Sequence, residues 1–151
     1  MVNTKALTLL LVICFMACVL TSCFDRSRDS EHIQYYDYGG PVMKYVHGLD
    51  EYESIKYEAV TNKPSVAIGP SEPCYRGVIV LKEDLAEDIW DKYEWEKAAP
   101  EDFEFANIDL STLKNSTWYY SEEFKKDTIR YQPVDYIYFN GSEVLFSFRA
   151  S

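Results

Sequence analysis

The sequence predicts an α+β fold: a small, mostly antiparallel sheet of about five strands, one main helix packed on it, and a C-terminal β-hairpin. Three observations carry that reading. First, Val134-Asp135-Tyr136-Ile137-Tyr138-Phe139 is followed by Asn140-Gly141 and then by Ser142 to Phe148, the pattern of two strands joined by a two-residue type I′ turn. That turn sets Ile137 opposite Val144 and Tyr136 opposite Leu145. It gathers Ile137, Phe139, Val144, Phe146 and Phe148 on one face and Val134, Tyr136, Tyr138 and Leu145 on the other. The second face is too apolar for solvent, so a helix, another strand or a partner must cover it. Second, Gly77-Val78-Ile79-Val80-Leu81 is an unbroken run rich in β-branched residues, which suits an interior strand over 75–81. Third, Asp84 to Lys97 reads as the helix. Asp84 and Glu87 have capping-box spacing, and Leu85, Ile89 and Tyr93 recur at i, i+4 and i+8.

The remaining elements are weaker. Glu51 to Val60 alternates imperfectly as a strand, with Tyr52, Ser54, Lys56, Glu58 and Val60 on one side and Glu51, Glu53, Ile55, Tyr57 and Ala59 on the other. Asn62-Lys63-Pro64 ends it. Val66-Ala67-Ile68 is a short apolar piece, Asp102 to Leu110 is faintly β-like, and Thr117 to Tyr120 suggests one more short strand. The domain is expected over 41–151.

The first residues follow a different logic. Met1 to Lys5 carries one positive charge, Ala6 to Leu20 is apolar almost throughout, and Thr21-Ser22 precedes Cys23. The apolar run is shorter than the roughly 20 residues a membrane-spanning helix needs, and the three-part order is that of a secretory signal. Leu20-Thr21-Ser22-Cys23, so placed, resembles the lipobox of bacterial lipoprotein precursors. The resemblance covers residues 1–23 only. It implies removal of residues 1–22, attachment of diacylglycerol to the Cys23 sulfur, and acylation of the new amino terminus. Each buried methylene contributes about 0.8 kcal/mol, so two or three chains would hold the protein on the membrane permanently. It further implies the periplasmic side of a bacterial envelope. Phe24, where enteric lipoproteins retained in the inner membrane tend to carry aspartate, leans toward the outer membrane. Residues 23–40 read as a lipidated tether whose first dozen residues reach roughly 20 Å, with Gly39-Gly40-Pro41 turning into the domain.

Residues 1–22 contain one Lys and no acid, so the expected mature chain carries 14 basic and 25 acidic side chains, a formal charge of −11. That field opposes nucleic acid and anionic lipid surfaces and suits a basic partner. Thirteen Tyr, eight Phe and three Trp supply enough bulk for a core. Of four cysteines, Cys14 and Cys18 leave with the signal and Cys23 is taken by lipid. Cys74 then stands without a disulfide partner; a Cys23–Cys74 bridge is the rival were Cys23 not acylated.

The sequence carries no recognisable catalytic signature. The two histidines are His32, in the tether, and His47. A His47–Asp50–Glu51 metal site lacks any second histidine at helical spacing or a cysteine pair, so a loop histidine is the expected reading, with no metal and no cofactor. No phosphate-binding glycine loop or Gly-x-Ser-x-Gly elbow is present. The carboxylate pairs Asp88/Asp91 and Glu101/Asp102 are expected to be solvated, as chance pairs among 25 acids. Asn115-Ser116-Thr117 and Asn140-Gly141-Ser142 match a glycosylation pattern that is idle in a bacterial product.

One stretch stands out. Trp90, Tyr93 and Trp95 cannot all occupy one face of a helix, because successive side chains lie about 100° apart. At least one ring should sit near solvent beside Asp91, Glu94 or Glu96. With Tyr136 and Tyr138 these rings are the candidate partner-binding residues, since aromatics dominate interface hot spots. The expected function is a non-catalytic binding lipoprotein, with an inhibitor or immunity protein against a basic toxin as its narrower form. The alternatives are an accessory lipoprotein of envelope assembly, or an envelope enzyme.

Overall fold

The computed structural model describes residues 30–63, 72–99, 103, 105–113 and 117–151. The signal, the lipobox with Cys23, the 66–68 piece, the pair Glu101/Asp102, and Asn115 and Ser116 lie outside the described residues.

The α+β class holds, with a larger sheet than expected. Seven strands form one antiparallel sheet in the order β1-β2-β3-β7-β6-β5-β4. They are β1 Ser30–Tyr36, β2 Tyr52–Lys63, β3 Cys74–Leu81, β4 Glu96–Ala98, β5 Trp118–Tyr120, β6 Val134–Phe139 and β7 Glu143–Arg149. Two helices, α1 (Glu83–Lys92) and α2 (Glu122–Thr128), complete it. The β-branched run of β3 lies between β2 and β7, inside the sheet.

Two cores line the two faces. On one, α1, α2 and the 42–49 segment place Val42, Val46, Leu49, Ile89 and Phe124 against Ile55, Tyr57, Ile79, Ile137, Phe139, Val144, Phe146 and Phe148. On the other, Val78, Trp118 and Leu145, flanked by Tyr136 and Tyr138, are covered by residues 103–113 through Phe103, Phe105, Ile108, Leu110 and Leu113. The cover is an irregular segment with one 3₁₀ turn at Leu110–Thr112. Among the described residues, the apolar second face is therefore met by neither a helix nor a further strand.

Four expectations need correction. Residues 30–36 are not tether: they pair with β2 over Ser30↔Lys63 to Tyr36↔Tyr57, so the domain begins well before residue 41. The helix stops at Lys92 instead of Lys97, and Tyr93 is already extended at φ −115, ψ 152. Continuing the helix would splay the three large rings, whereas ending it turns Trp95 back onto Trp90 and frees Glu96–Ala98 to pair with β5. There is no capping box, because Lys82 is the N-cap and makes no side-chain cap. The hairpin pairs Ile137 with Phe146, Tyr138 with Leu145 and Phe139 with Val144. Its two-residue loop is Gly141-Ser142, closed by Asn140 N–H to Glu143 O at 3.1 Å, with Gly141 at φ +96. Glycine at the first central position is the type II′ arrangement. The Asn140 carboxamide oxygen, which accepts from the backbone N–H of Ser142 (3.1 Å) and Glu143 (2.7 Å), fixes it. A slip of two residues changes partners without exchanging faces.

Tyr57 is fully buried and stacks on Tyr36 at 4.8 Å. Its hydroxyl is the one buried side-chain polar atom among the described residues without a hydrogen-bond partner. Burial holds it protonated well above the ordinary phenol range; the Val42 backbone offsets a little of this without reaching hydrogen-bond geometry. Opposite Tyr57 stands Gly77. A Cβ there would overlap the Lys56 carbonyl and the Tyr57 side chain. Gly77→Ala is expected to destabilise by about 1–3 kcal/mol through this overpacking, visible as a lower Tm; a melting curve superimposed on wild type would show that β2 and β3 can part freely.

Candidate functional site

The structure splits the five candidate aromatics into two groups. Trp90, Tyr93 and Trp95 come together at the C-terminal end of α1. Trp90 stacks on Trp95 with centroids 5.9 Å apart and meets Tyr119 nearly at right angles at 4.9 Å. Trp95 is half-buried, packs on Phe124 and Phe139 at 5.2 Å each, and donates its indole N–H to the Trp90 carbonyl at 3.1 Å. Tyr93 is half-buried against Phe124 at 5.4 Å. Tyr136 and Tyr138 sit on the opposite face of the sheet, stacked on each other at 5.8 Å, with Phe103 4.9 Å from Tyr136. Burial pushes the Tyr136 hydroxyl up to about 12. These two rings hold the 103–113 cover in place and do not join the Trp90 group.

Of these five rings the one nearest solvent is Trp90, at 39 % exposure. It and Tyr119 form the walls of an open hollow of about 540 Å³ whose rim includes Glu87 and Asp91 of α1 and Asn140 and Gly141 of the β6–β7 turn. Glu87 and Asp91 are four residues apart on one helix and have no ion-pair partner among the described residues. An aromatic corner beside two uncompensated carboxylates favours a cation: the rings offer their negative faces and the acids supply charge. Tyr119 was not singled out from the sequence. Its position follows from the pairing Tyr119↔Phe139, which puts it on the strand next to the turn.

A second hollow, of about 200 Å³, lies between α1 and α2 and is lined by His47, Asp88, Lys92, Tyr93, Asp127 and Arg130 among others. Lys92 Nζ donates to the Tyr93 hydroxyl at 2.6 Å, and that hydroxyl donates to Asp127 Oδ2 at 2.9 Å. The bond from Tyr93, with Lys92 behind it, holds Asp127 below the ordinary carboxylate range, while burial raises Tyr93. A general base needs a pKa near the working pH; here each group is moved away from neutrality, and the chain of bonds acts as a clamp between the helices. His47 is an exposed loop residue whose backbone N–H donates to Thr128 O at 2.8 Å. Asp88 and Asp91 are both exposed. Cys74 is a half-buried thiol beside Ser147, raised by burial.

Among the described residues no group of three or more His, Cys, Asp or Glu is placed to hold a metal ion, and no helix is long and apolar enough to cross a membrane. No family model matches the chain, and neither a curated protein nor a solved structure matches it significantly.

Proposed function

We propose that this chain is a lipoprotein, acylated at Cys23, whose domain binds a basic protein partner without catalysing a reaction, in the manner of an inhibitor or immunity protein. The observation that carries the binding half is the Trp90–Tyr119 corner with Glu87 and Asp91 on its rim. A Lys or Arg side chain of the partner enters it, and the formal charge of the chain, −10 before any processing, steers the approach. The lipoprotein half rests on the charged start, the apolar run and Leu20-Thr21-Ser22-Cys23.

Affinity purification of the full chain from detergent-solubilised envelopes tests the binding half, with wild type beside a Trp90→Ser, Glu87→Gln, Asp91→Asn variant. A basic protein recovered at fixed stoichiometry with wild type, and reduced roughly tenfold or more with the variant, is the expected outcome for a hot-spot contact. Equal recovery by both would remove the corner from the interface. For the lipid half, palmitate labelling should appear on wild type and vanish in Cys23→Ser.

A further inference from the structure

We propose that the end of the sheet bearing Tyr131 rests on the bilayer: Arg130, Lys125 and Lys126 meet anionic phospholipid headgroups and the Tyr131 ring enters the interface. This inference builds on acylation of Cys23.

Tyr131 is 95 % exposed. It is also the one described non-glycine residue with positive φ, at +62, a conformation that tyrosine adopts only under constraint. The constraint is visible on both sides. Ile129 forms a bridge with Val46, Pro133 O accepts from Arg149 N–H at 3.0 Å, and Gln132 Oε1 accepts from Ser151 N–H at 2.7 Å. The loop is pinned with its large ring held outward, where no packing on the chain rewards it.

The hollow beside the ring is lined by three basic side chains and no acid, although Glu122, Glu123 and Asp127 stand on the same helix and the chain as a whole is acidic. Lys125, Lys126, Arg130, Tyr131 and Gln132 line a shallow hollow of about 560 Å³. Glu122 pairs with Lys125 at 2.6 Å and with Lys126 at 3.6 Å, so one acid faces two lysines. Arg130 donates one bond, from Nε to the Asp127 carbonyl at 3.3 Å, and its charge helps hold the Asp127 carboxylate below the ordinary range. It forms no ion pair among the described residues, Asp127 pairing instead with Lys92 at 3.3 Å. Positive charge beside an amphipathic ring is the composition that anionic interfaces attract.

Strand register supplies the third, independent argument. The start of β1 lies beside the end of β2 (Ser30↔Lys63), the start of β3 beside the ends of β2 and β7 (Val60↔Cys74, Cys74↔Arg149), and the start of β6 beside the end of β7 (Val134↔Phe148). The chain therefore leaves β1 toward Cys23 at the same end of the sheet at which Tyr131 precedes β6. Four strand spacings separate β1 from β6, about 19 Å, and the seven residues from Cys23 to Ser30 span at most about 25 Å. Sheet twist turns β6 by about 80–100° from β1, which a link of that reach absorbs. The Trp90 corner, built on the β6–β7 turn, lies at the other end of β6, about 20 Å away, and would point from the membrane toward an incoming partner.

The test is lysine footprinting by mass spectrometry on the full acylated chain, reconstituted into vesicles of phosphatidylcholine alone and of equal parts phosphatidylcholine and phosphatidylglycerol. Labelling of Lys126 should fall on the anionic vesicles while Lys82, at the far end of the sheet, stays unchanged. Arg130→Gln should return roughly fivefold of that protection, the effect of one basic side chain at an anionic surface, and Tyr131→Ser should weaken it further. Equal labelling of Lys126 on both vesicles, with acyl chains present on Cys23, overturns the inference and leaves the lipoprotein reading standing. Protection in native envelopes but not on anionic vesicles also overturns it, in favour of a protein contact. If Cys23 carries no acyl group, the lipoprotein reading falls by itself; the vesicle comparison then still decides the patch, upheld by protection and overturned by equal labelling.

Discussion

Arg76→Ala is expected to destabilise the fold by about 3–5 kcal/mol, the usual cost of leaving a buried charge without its partner. The charge is Glu58, fully buried beneath residues 103–113. Arg76 reaches Glu58 Oε2 from the neighbouring strand with Nη2 at 2.8 Å and Nε at 2.9 Å. Asn107 donates to the other carboxylate oxygen, Glu58 Oε1, from its backbone N–H at 2.5 Å and its side-chain Nδ2 at 3.3 Å. The same guanidinium lies over the Phe105 ring at 5.8 Å from its centroid. One arginine thus joins β3, β2 and the cover, and its loss exposes the carboxylate to a low dielectric with only Asn107 to hold it. Urea unfolding followed by circular dichroism gives the value, and limited proteolysis should cut first within 103–113. Glu58→Met, Arg76→Met should recover most of the loss, because it removes both charges and keeps volume. An Arg76→Ala cost below about 1 kcal/mol, in the range of surface substitutions, would mean that water reaches Glu58 and the pair is no clamp.

Glu58 also marks where reading the sequence runs out. Its alternation in β2 was legible, and Ile55, Tyr57 and Ala59 do form the face toward the helices. The opposite side reads as polar because the sequence cannot show that a distant irregular segment will fold over it. Burial of Glu58 depends on Asn107, forty-nine positions away. The interior position of β3 was legible from its continuous apolar run, since such a run needs cover on both faces. β1 was not: Glu31, His32 and Gln34 are exposed, and an edge strand with one neighbour carries too little alternation to announce itself. α2 has seven residues, too few for a helical period, but its ends do bear a signal. Ser121 accepts from the Phe124 N–H at 3.4 Å, Glu122 and Glu123 open the first turn, and Lys125 and Lys126 follow, as the helix dipole favours. For the candidate site, the sequence identified the rings and the conflict among them. It could not foresee that the helix would end early to resolve that conflict, nor that Tyr119 would complete the corner.

That resolution gives Trp90 and Trp95 opposite roles, and the second large effect follows from it. Trp95→Ala is expected to cost about 2–4 kcal/mol, below the full range for a buried aromatic because the ring is only half-buried. It loses four ring contacts, with Trp90, Tyr93, Phe124 and Phe139, and the bond to the Trp90 carbonyl. These contacts tie the end of α1 to α2 and β6, so the midpoint of urea unfolding should drop sharply. Trp90→Ala removes a ring that touches Trp95, Tyr119 and Phe139 but is 39 % exposed, and should cost less, roughly 1–2 kcal/mol, near the centre of the distribution for single substitutions. A loss of partner binding in Trp95→Ala would therefore report an unravelled helix terminus as readily as a lost contact. Loss of binding in Trp90→Ala with stability nearly kept isolates the surface itself. If the two variants unfolded at the same urea concentration, the division between a packing indole and a docking indole would be wrong, and the corner would have to be treated as one rigid unit.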